Sequence, residues 1–498
     1  MELYAPKLDR VCPEQFAQSL FEKLSDEREI DASELAQLFA LSMRNGPLQQ
    51  VLQDTLRIWL LGRTLAHAID TVDFYRVRKE IYQNWMSHCR PGERVPEDLP
   101  VLRRSDLQEN PSAFISLAGD LELLSHTSGS TGEPVLIHRS RQEVRFVQRY
   151  YDCLLEPARV PLKTKPLCLT FPNLYHGSAL PLPSIGMPII SGVTDDTLIQ
   201  DATRILRTSH KIPGCSERIQ FLSGLSHHVV FFTNYLLEQG YDVGQFALSG
   251  VSITGGYISP HWSAFLRRAW NCPVFDRWSM TELVGGATRD CETGLFLFDP
   301  HVFVEVVNPI NGHCVTGNGV GELVITTLYP FAQMQPLIRY ATGDLVYQTT
   351  LSGTETRAYA FLGKLKNCLM HFDEGELGVL VSSAQLYDLL TSWPEVSCYD
   401  FFPNIAAVKD RRVGSMPIFR LCRKPQESKT VECRVLVQLR FNPDAFPERR
   451  VNLKRELERY VMAAPYTCLA PAVKDKKANL TIDFVGPGAI DSPPIIKV

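Results

Sequence analysis

The residues with the clearest chemical potential run from Ser125 to Pro134, Ser-His-Thr-Ser-Gly-Ser-Thr-Gly-Glu-Pro, in which Thr127 to Gly132 are all glycines or hydroxyl residues. Glycines let the main chain come close to a ligand, and packed N–H and O–H donors surround phosphate oxygens as anion-binding nests do. The run lacks the lysine of a Walker loop. It lies between two apolar stretches, LELL and VLIH, where a plain flexible linker would be out of place. Downstream come Thr254-Gly-Gly256, Asp276-Arg-Trp-Ser-Met-Thr-Glu282 and Pro336-Leu-Ile-Arg-Tyr-Ala-Thr-Gly-Asp344. A single acidic residue is ordinarily a solvated surface group, so these gain meaning only from their order behind the glycine run.

This ordered set resembles the acyl-adenylate-forming superfamily, and within it the phenylacetate–CoA ligase branch. Thr281-Glu282 through Gly294-Leu295, Val304-Glu-Val306, Gly321-Glu-Leu-Val324 and Pro336 to Tyr340 follow that branch element by element. Ala66-His-Ala-Ile-Asp-Thr-Val-Asp-Phe-Tyr-Arg76 and Leu99-Pro-Val-Leu-Arg-Arg-Ser-Asp-Leu107 look like its helical N-terminal signature. The likeness is good from Leu56 to Lys364 and poor beyond. It implies that Ser128, Gly129, Ser130, Thr131 and Gly132 wrap the phosphates of ATP. Gly256, Tyr257 and Ile258, with Asp276 and Arg277, would border the adenine, and Trp278 takes the motif's tyrosine position against the base, where a flat ring supplies apolar area. Glu282 would hold Mg²⁺, which is typically bound by one or two carboxylates plus phosphate oxygens. Thr281 would donate to the α-phosphate, and Asp344 would accept from the ribose hydroxyls. Phe171-Pro-Asn-Leu-Tyr-His-Gly177 falls where the superfamily has an aromatic or histidine gate. Tyr175 and His176, with Gly255, are therefore candidates for contact with the acid, a core aromatic and a surface histidine being the alternative.

Towards the C-terminus the pattern departs from the family. Phe361-Leu-Gly-Lys-Leu-Lys-Asn367 resembles the superfamily hinge, with Lys366 at the pivot and Lys364 in place of an arginine that contacts ribose. Lysine lacks the arginine fork. HFDEGELGVLVSSAQLYDLL reads as an expanded form of the glycine-rich loop that adjoins the thiol acceptor tunnel. Phe484-Val-Gly-Pro-Gly-Ala-Ile490 matches the approach to the superfamily's catalytic lysine, and Lys497 is the candidate for it.

The resemblance implies activation of a small carboxylic acid with ATP and Mg²⁺ to an acyl-adenylate, releasing pyrophosphate, followed by thioester formation with CoA. The acceptor could instead be a carrier-protein phosphopantetheine or an amine. Two readings of other kinds stand beside it: an inactive homologue serving as a binding module, and a kinase-like ATPase that would release ADP.

The elements that must position these residues form three textures. Helical periodicity dominates from Pro13 to Met86, as in FAQSLFEKL and LQDTLRIWLLGRTLAHAI. From Leu123 to Leu362 short apolar or β-branched runs such as PLCLTF, MPIISGV and GELVITTL alternate with helical stretches such as SHHVVFFTNYLLEQG. His227-His228 lies in the last of these and reads as helix packing, since neighbours on a helix do not face one another. A more charged α/β pattern follows Gly363. The expected fold is therefore α/β, with a large adenylating domain over 1–362 that includes a helical lead-in over 1–110. A hinge at 363–366 joins it to a smaller, mobile α+β domain over 367–498.

The composition is that of an ordinary globular protein. The chain has 498 residues, 45% hydrophobic and 21% charged, with a formal net charge of -4 from 51 basic and 55 acidic side chains. That balance leaves no electrostatic footprint for nucleic acid or an anionic membrane. The 13 cysteines are scattered without a C-x-x-C pair, as in a reducing cytoplasm, and no long apolar segment suggests export or insertion.

Overall fold

The lead-in is helical because its apolar residues recur at three- and four-residue spacing with few breakers between them. In the computed structural model of the protein, helices span Pro13–Ser25, Ala32–Ser42, Gln49–Thr71 and Lys79–Ser87. The structure describes residues 13–25, 31–42, 49–87, 99–127, 133–159, 164–172, 186–354, 356–373, 376–424 and 430–490. Leu35, Phe39, Leu56, Leu60 and Leu65 of these helices share one core with Leu323, Ile325 and Val346 of the sheet. Each such side chain, fully buried, contributes roughly 1.5–3 kcal/mol of transfer free energy. The lead-in is thus part of the large domain's core.

An 11-stranded sheet runs in the spatial order 303–307, 319–326, 340–350, 357–364, 296–298, 287–289, 274–278, 250–254, 215–224, 165–171, 187–190. The strands from Lys165–Phe171 to Val274–Trp278 pair in parallel, and Leu167, Leu169, Leu222, Val251 and Ile253 on them are buried in one core. Beyond Val274–Trp278 all pairings are antiparallel. Helices Ser226–Glu238 and Pro260–Trp270 cover the parallel half. In open α/β sheets ligands bind beyond the carboxyl ends of the parallel strands, and that is where Gly255 and Gly256 follow strand Gly250–Thr254.

After Lys364 a short turn of 3-10 helix, Leu365–Asn367, holds Lys366 and leads to strand Leu369–Asp373. This strand pairs antiparallel with Glu376–Val381. The expected expanded loop is therefore a hairpin, and Gly378 lies inside a strand opposite His371. The run LGVLV has the apolar, β-branched character that a strand requires. A Cβ on Gly378 would come within 2.5 Å of Cys468 Sγ, so close packing explains this glycine without any need for loop flexibility. The remaining C-terminal elements are a three-stranded sheet, Phe419–Lys424, Val431–Gln438 and Ala478–Val485, packed by helices Ser383–Thr391, Pro447–Met462 and Leu469–Lys474.

The segment from Asp400 to Ser415 lies between the antiparallel strands Cys398–Tyr399 and Met416–Pro417 and docks on helix Ser226–Glu238. Phe402, Ile405 and Val408 are buried in the core of the parallel half-sheet. Phe402 lies 4.3 Å from Phe231, and the Lys409 and Asp410 N–H groups donate to Glu238 at 2.5 and 3.0 Å. His227 stacks on Phe401 at 4.5 Å, and burial lowers His227 to a pKa of about 3 and His228 to about 4. Both histidines are neutral packing groups, as helix position suggested. The chain beyond Lys364 therefore also attaches to the parallel half of the sheet.

Candidate active site

Thr127 and Glu133 flank the glycine run, whose residues Ser128, Gly129, Ser130, Thr131 and Gly132 lie outside the described residues. Its two ends are pinned. One Arg104 nitrogen donates to Thr127 Oγ1 and to the Glu133 carbonyl, both at 2.9 Å, and Thr127 Oγ1 accepts from Val135 N at 3.0 Å. Strand Leu121–His126 precedes the run and strand Leu136–Ser140 follows it, and the two pair antiparallel.

Glu282 follows strand Val274–Trp278 on an irregular turn and is 5% exposed. Tyr340 Oη donates to Glu282 Oε1 at 3.2 Å. Burial pushes the Glu282 carboxyl above the usual carboxylate range, against its own backbone hydrogen bond, the Tyr340 hydroxyl and the charges of Arg104 and Lys364. Asp344 is buried on strand Tyr340–Thr350, which also carries Tyr340, with Lys364 Nζ 2.7 Å from its Oδ1. That contact is an ion pair without the alignment of a directed hydrogen bond. Glu282, Tyr340, Asp344, Lys364 and Arg104 thus cluster beside the pinned ends of the glycine run, with Thr281 next to Glu282 in the chain.

A second cluster forms at the carboxyl end of the parallel strands. Gly255 has φ +72°, and a Cβ on Gly256 would sit 3.0 Å from Ser226 Oγ, so only glycines let this turn pass the start of the helix. Asp276 is buried, and its Oδ2 lies 3.5 Å from Arg289 with no directed hydrogen bond. Burial raises the Asp276 carboxyl to a pKa of about 7, with Arg289 opposing. Arg289 also donates to the Ile258 carbonyl at 3.3 Å. Tyr257 Oη donates to Asp388 Oδ2 at 2.8 Å, and the Tyr257 ring lies in the core formed by the C-terminal elements.

Two of the residues expected to border the adenine have protein partners in this structure. Side chains alternate along a strand, so Arg277 faces away from Asp276, where it donates to Asp299 at 2.6 Å and Thr288 at 3.1 Å. The Tyr257 ring is packed in the core of the C-terminal elements, with the Arg289 guanidinium 5.6 Å from its centre. Trp278 stacks on Phe361 at 5.5 Å. Tyr175, His176 and Lys497 lie outside the described residues. Arg104, Tyr340, Arg289 and Asp388 were not singled out from the sequence. Arg104 and Tyr340 stand inside the branch-like stretches Leu99–Leu107 and Pro336–Asp344, a signal that could have found them; nothing local marks Arg289 or Asp388.

The donor set fits a magnesium nucleotide. A buried carboxylate raised by desolvation gains most from a divalent cation, and the orphaned Asp276 Oδ2 has room in its hydrogen bonding for a polar donor.

Comparison with known proteins agrees with this geometry. No family profile matches the chain. Over 364 residues it is 23% identical to a phenylacetate-coenzyme A ligase of Thermus thermophilus, covering 68% of this chain and 74% of that protein. A phenylacetate-coenzyme A ligase of Pseudomonas putida is 22% identical over 348 residues, covering 64% and 72%. Among solved structures, 2-hydroxyisobutyryl-CoA ligase in the postadenylation state superposes with a TM-score of 0.60 at 15% identity, covering 92% of this chain and 90% of that one. Its open conformation with an acyl-AMP and CoA gives 0.61 at 14% identity, covering 89% and 90%. The chain shares the fold of 2-hydroxyisobutyryl-CoA ligase. In sequence it is similar to phenylacetate-coenzyme A ligases.

Proposed function

We propose that this protein activates a small carboxylic acid with ATP, forming an acyl-adenylate and pyrophosphate, and transfers the acyl group to CoA. The observation that carries the reading is the convergence of Glu282, Tyr340, Asp344 and Lys364 beside the pinned ends of the glycine run. In the first step a carboxylate oxygen attacks the α-phosphorus of ATP, and the bond from that phosphorus to the oxygen bridging to the β-phosphate breaks. Such chemistry needs chiefly positioning and charge neutralisation. Magnesium bound by Glu282 would neutralise phosphate charge. Ser128 to Gly132 cradle the phosphates, Thr281 donates to the α-phosphate, and Asp344 holds the ribose. Gly256, Ile258 and Asp276 border the base beside Trp278, while Gly255, Tyr175 and His176 face the acid. In the second step the CoA thiol attacks the adenylate carbonyl and AMP leaves, after 367–498 turns about Lys366 as a mobile domain.

A second reading keeps the adenylate and passes it to a carrier-protein pantetheine or an amine. It is favoured by the hairpin Leu369–Val381, which stands where the resemblance has a glycine-rich acceptor loop. A reducing, cytoplasmic setting suits either acceptor. The test is a screen of carboxylic acids by pyrophosphate release, with and without CoA, on wild type and Glu282→Ala. Acid-dependent release that Glu282→Ala abolishes, with AMP as co-product, supports the reading. ADP as product, or undiminished release by the variant, rejects it.

A further inference from the structure

Arg139 and Glu143 form a buried ion pair, 1% and 0% exposed, immediately behind the candidate site. Arg139 lies on strand Leu136–Ser140, which leaves the glycine run, and Glu143 is on the first turn of helix Arg141–Arg159, four residues on. The side chain of Arg139 forks. One nitrogen donates to Glu143 Oε1 at 2.7 Å and the other to the carbonyl oxygen of Thr281 at 3.1 Å. The second carboxylate oxygen of Glu143 accepts the main-chain N–H groups of Gln333 and Met334, at 3.0 and 3.3 Å. These two residues directly precede the Pro336–Asp344 stretch.

One buried pair therefore ties together the strand behind the glycine run, the turn that carries Thr281 and Glu282, and the approach to Asp344. The Thr281–Gly285 turn belongs to no ladder, and its recorded main-chain bond is Leu283 N to Met280 O at 3.2 Å. Outside regular structure, a charge-assisted donor on the Thr281 carbonyl is a strong local constraint on where the next side chain, Glu282, can stand. Replacing such an ion pair by apolar residues is often neutral for folding, so fold stability alone does not account for a charged fork whose second arm ends on this carbonyl.

We propose that the Arg139–Glu143 pair is a positioning device for the magnesium carboxylate: the Arg139 fork holds the Thr281 carbonyl and so sets Glu282 against the nucleotide phosphates. The inference rests on the reading of Glu282 given above. Arg139 touches neither substrate nor metal and acts through the Thr281–Glu282 turn.

The test measures binding to the full chain by calorimetry, with AMP in the absence of metal and with ATP in the presence and absence of Mg²⁺. Arg139→Lys keeps the buried charge but, as a point charge, lacks the two-armed fork. Arg139→Met combined with Glu143→Leu removes both charges together and guards against misfolding of the single variant. For both, AMP affinity stays close to wild type, while the gain in ATP affinity on adding Mg²⁺ falls by about fivefold or more, equivalent to about 1 kcal/mol. A Mg²⁺-dependent gain equal to wild type in either folded variant overturns the proposal. So does loss of AMP and ATP affinity in parallel, which would mark the pair as merely structural. If Glu282→Ala keeps the full Mg²⁺-dependent gain, the reading of Glu282 itself has failed, and the proposal falls with it.

Discussion

Lys364 and Asp344 are direct cross-strand partners in the register of Tyr340–Thr350 with Arg357–Lys364, and their charged groups meet 2.7 Å apart. Lys364 also donates to the Thr342 carbonyl at 3.3 Å, so its ammonium closes over the strand that carries the candidate ribose carboxylate. Lys364 thus neutralises one oxygen of Asp344, and a ribose would use the other. Asp344→Ala removes hydrogen bonds to a charged group, each worth about 1.5–3 kcal/mol, so ATP affinity should fall about tenfold to a hundredfold. Calorimetric titration with ATP checks this, and unchanged affinity takes Asp344 out of the site.

Asp388 links stability to pH across the contact between Tyr257 and the C-terminal elements. Burial raises its carboxyl to about 7; the Tyr257 hydrogen bond and Arg289 oppose the rise, and Asp276 adds to it. Tyr460 also lies within its electrostatic reach. Because the folded pKa lies above the ordinary value of an aspartate, the folded state holds this proton more tightly. Its contribution is fully present below the unfolded pKa and is lost as pH rises through about 7. Asp388→Asn cannot titrate. Its stability relative to wild type should therefore rise by about 1–3 kcal/mol between pH 5 and pH 8, as read by urea denaturation at the two values. A difference independent of pH would show that Asp388 titrates like a solvated carboxylate.

Phe402 is 2% exposed and belongs to the second attachment of the C-terminal chain. Truncating a buried phenylalanine typically costs about 3–5 kcal/mol. Phe402→Ala should destabilise the large domain by that order and expose segment 400–415 to limited proteolysis. Wild-type stability together with wild-type protease resistance would mean that the segment is not docked.

Lys497 carries the sharpest expectation about the first half-reaction. Charge builds on the α-phosphate as the adenylate forms, so a cation delivered by the C-terminal elements matters there and matters little once the adenylate exists. Lys497→Ala should slow acid-dependent pyrophosphate exchange by more than about tenfold, or at least about 1.4 kcal/mol of barrier, while use of supplied acyl-adenylate changes much less. Wild-type rates in both assays would remove Lys497 from catalysis and turn attention to Lys364 and Lys366.

Much of the fold was legible in the chain because its signals are local. The helices over 13–87 follow from apolar spacing, and the helix Ser226–Glu238 from a continuous apolar stretch. The Leu369–Val381 hairpin was misread as a loop because its glycine codes for close packing against Cys468, a contact across 90 residues of chain that no local pattern expresses. That Arg277 pairs with Asp299 while Asp276 faces the other way follows from the alternation of a strand, which adjacency in a motif conceals.

By itself the sequence determined the order of the glycine run, the Thr-Glu turn and the Pro336–Asp344 stretch, and with that order the class of protein, since a motif is a matter of residue type and spacing along one chain. Only the tertiary structure decided which charges meet. Lys364 faces Asp344 through strand register, Tyr340 reaches Glu282 and Arg139 reaches Thr281 over separations of 58 and 142 residues, and Asp388 arrives at Tyr257 from 131 residues away. Such contacts are selected by burial, where an ionised group must find a partner or give up its charge, and that requirement acts in space, on neighbours that the chain brings together only when it folds.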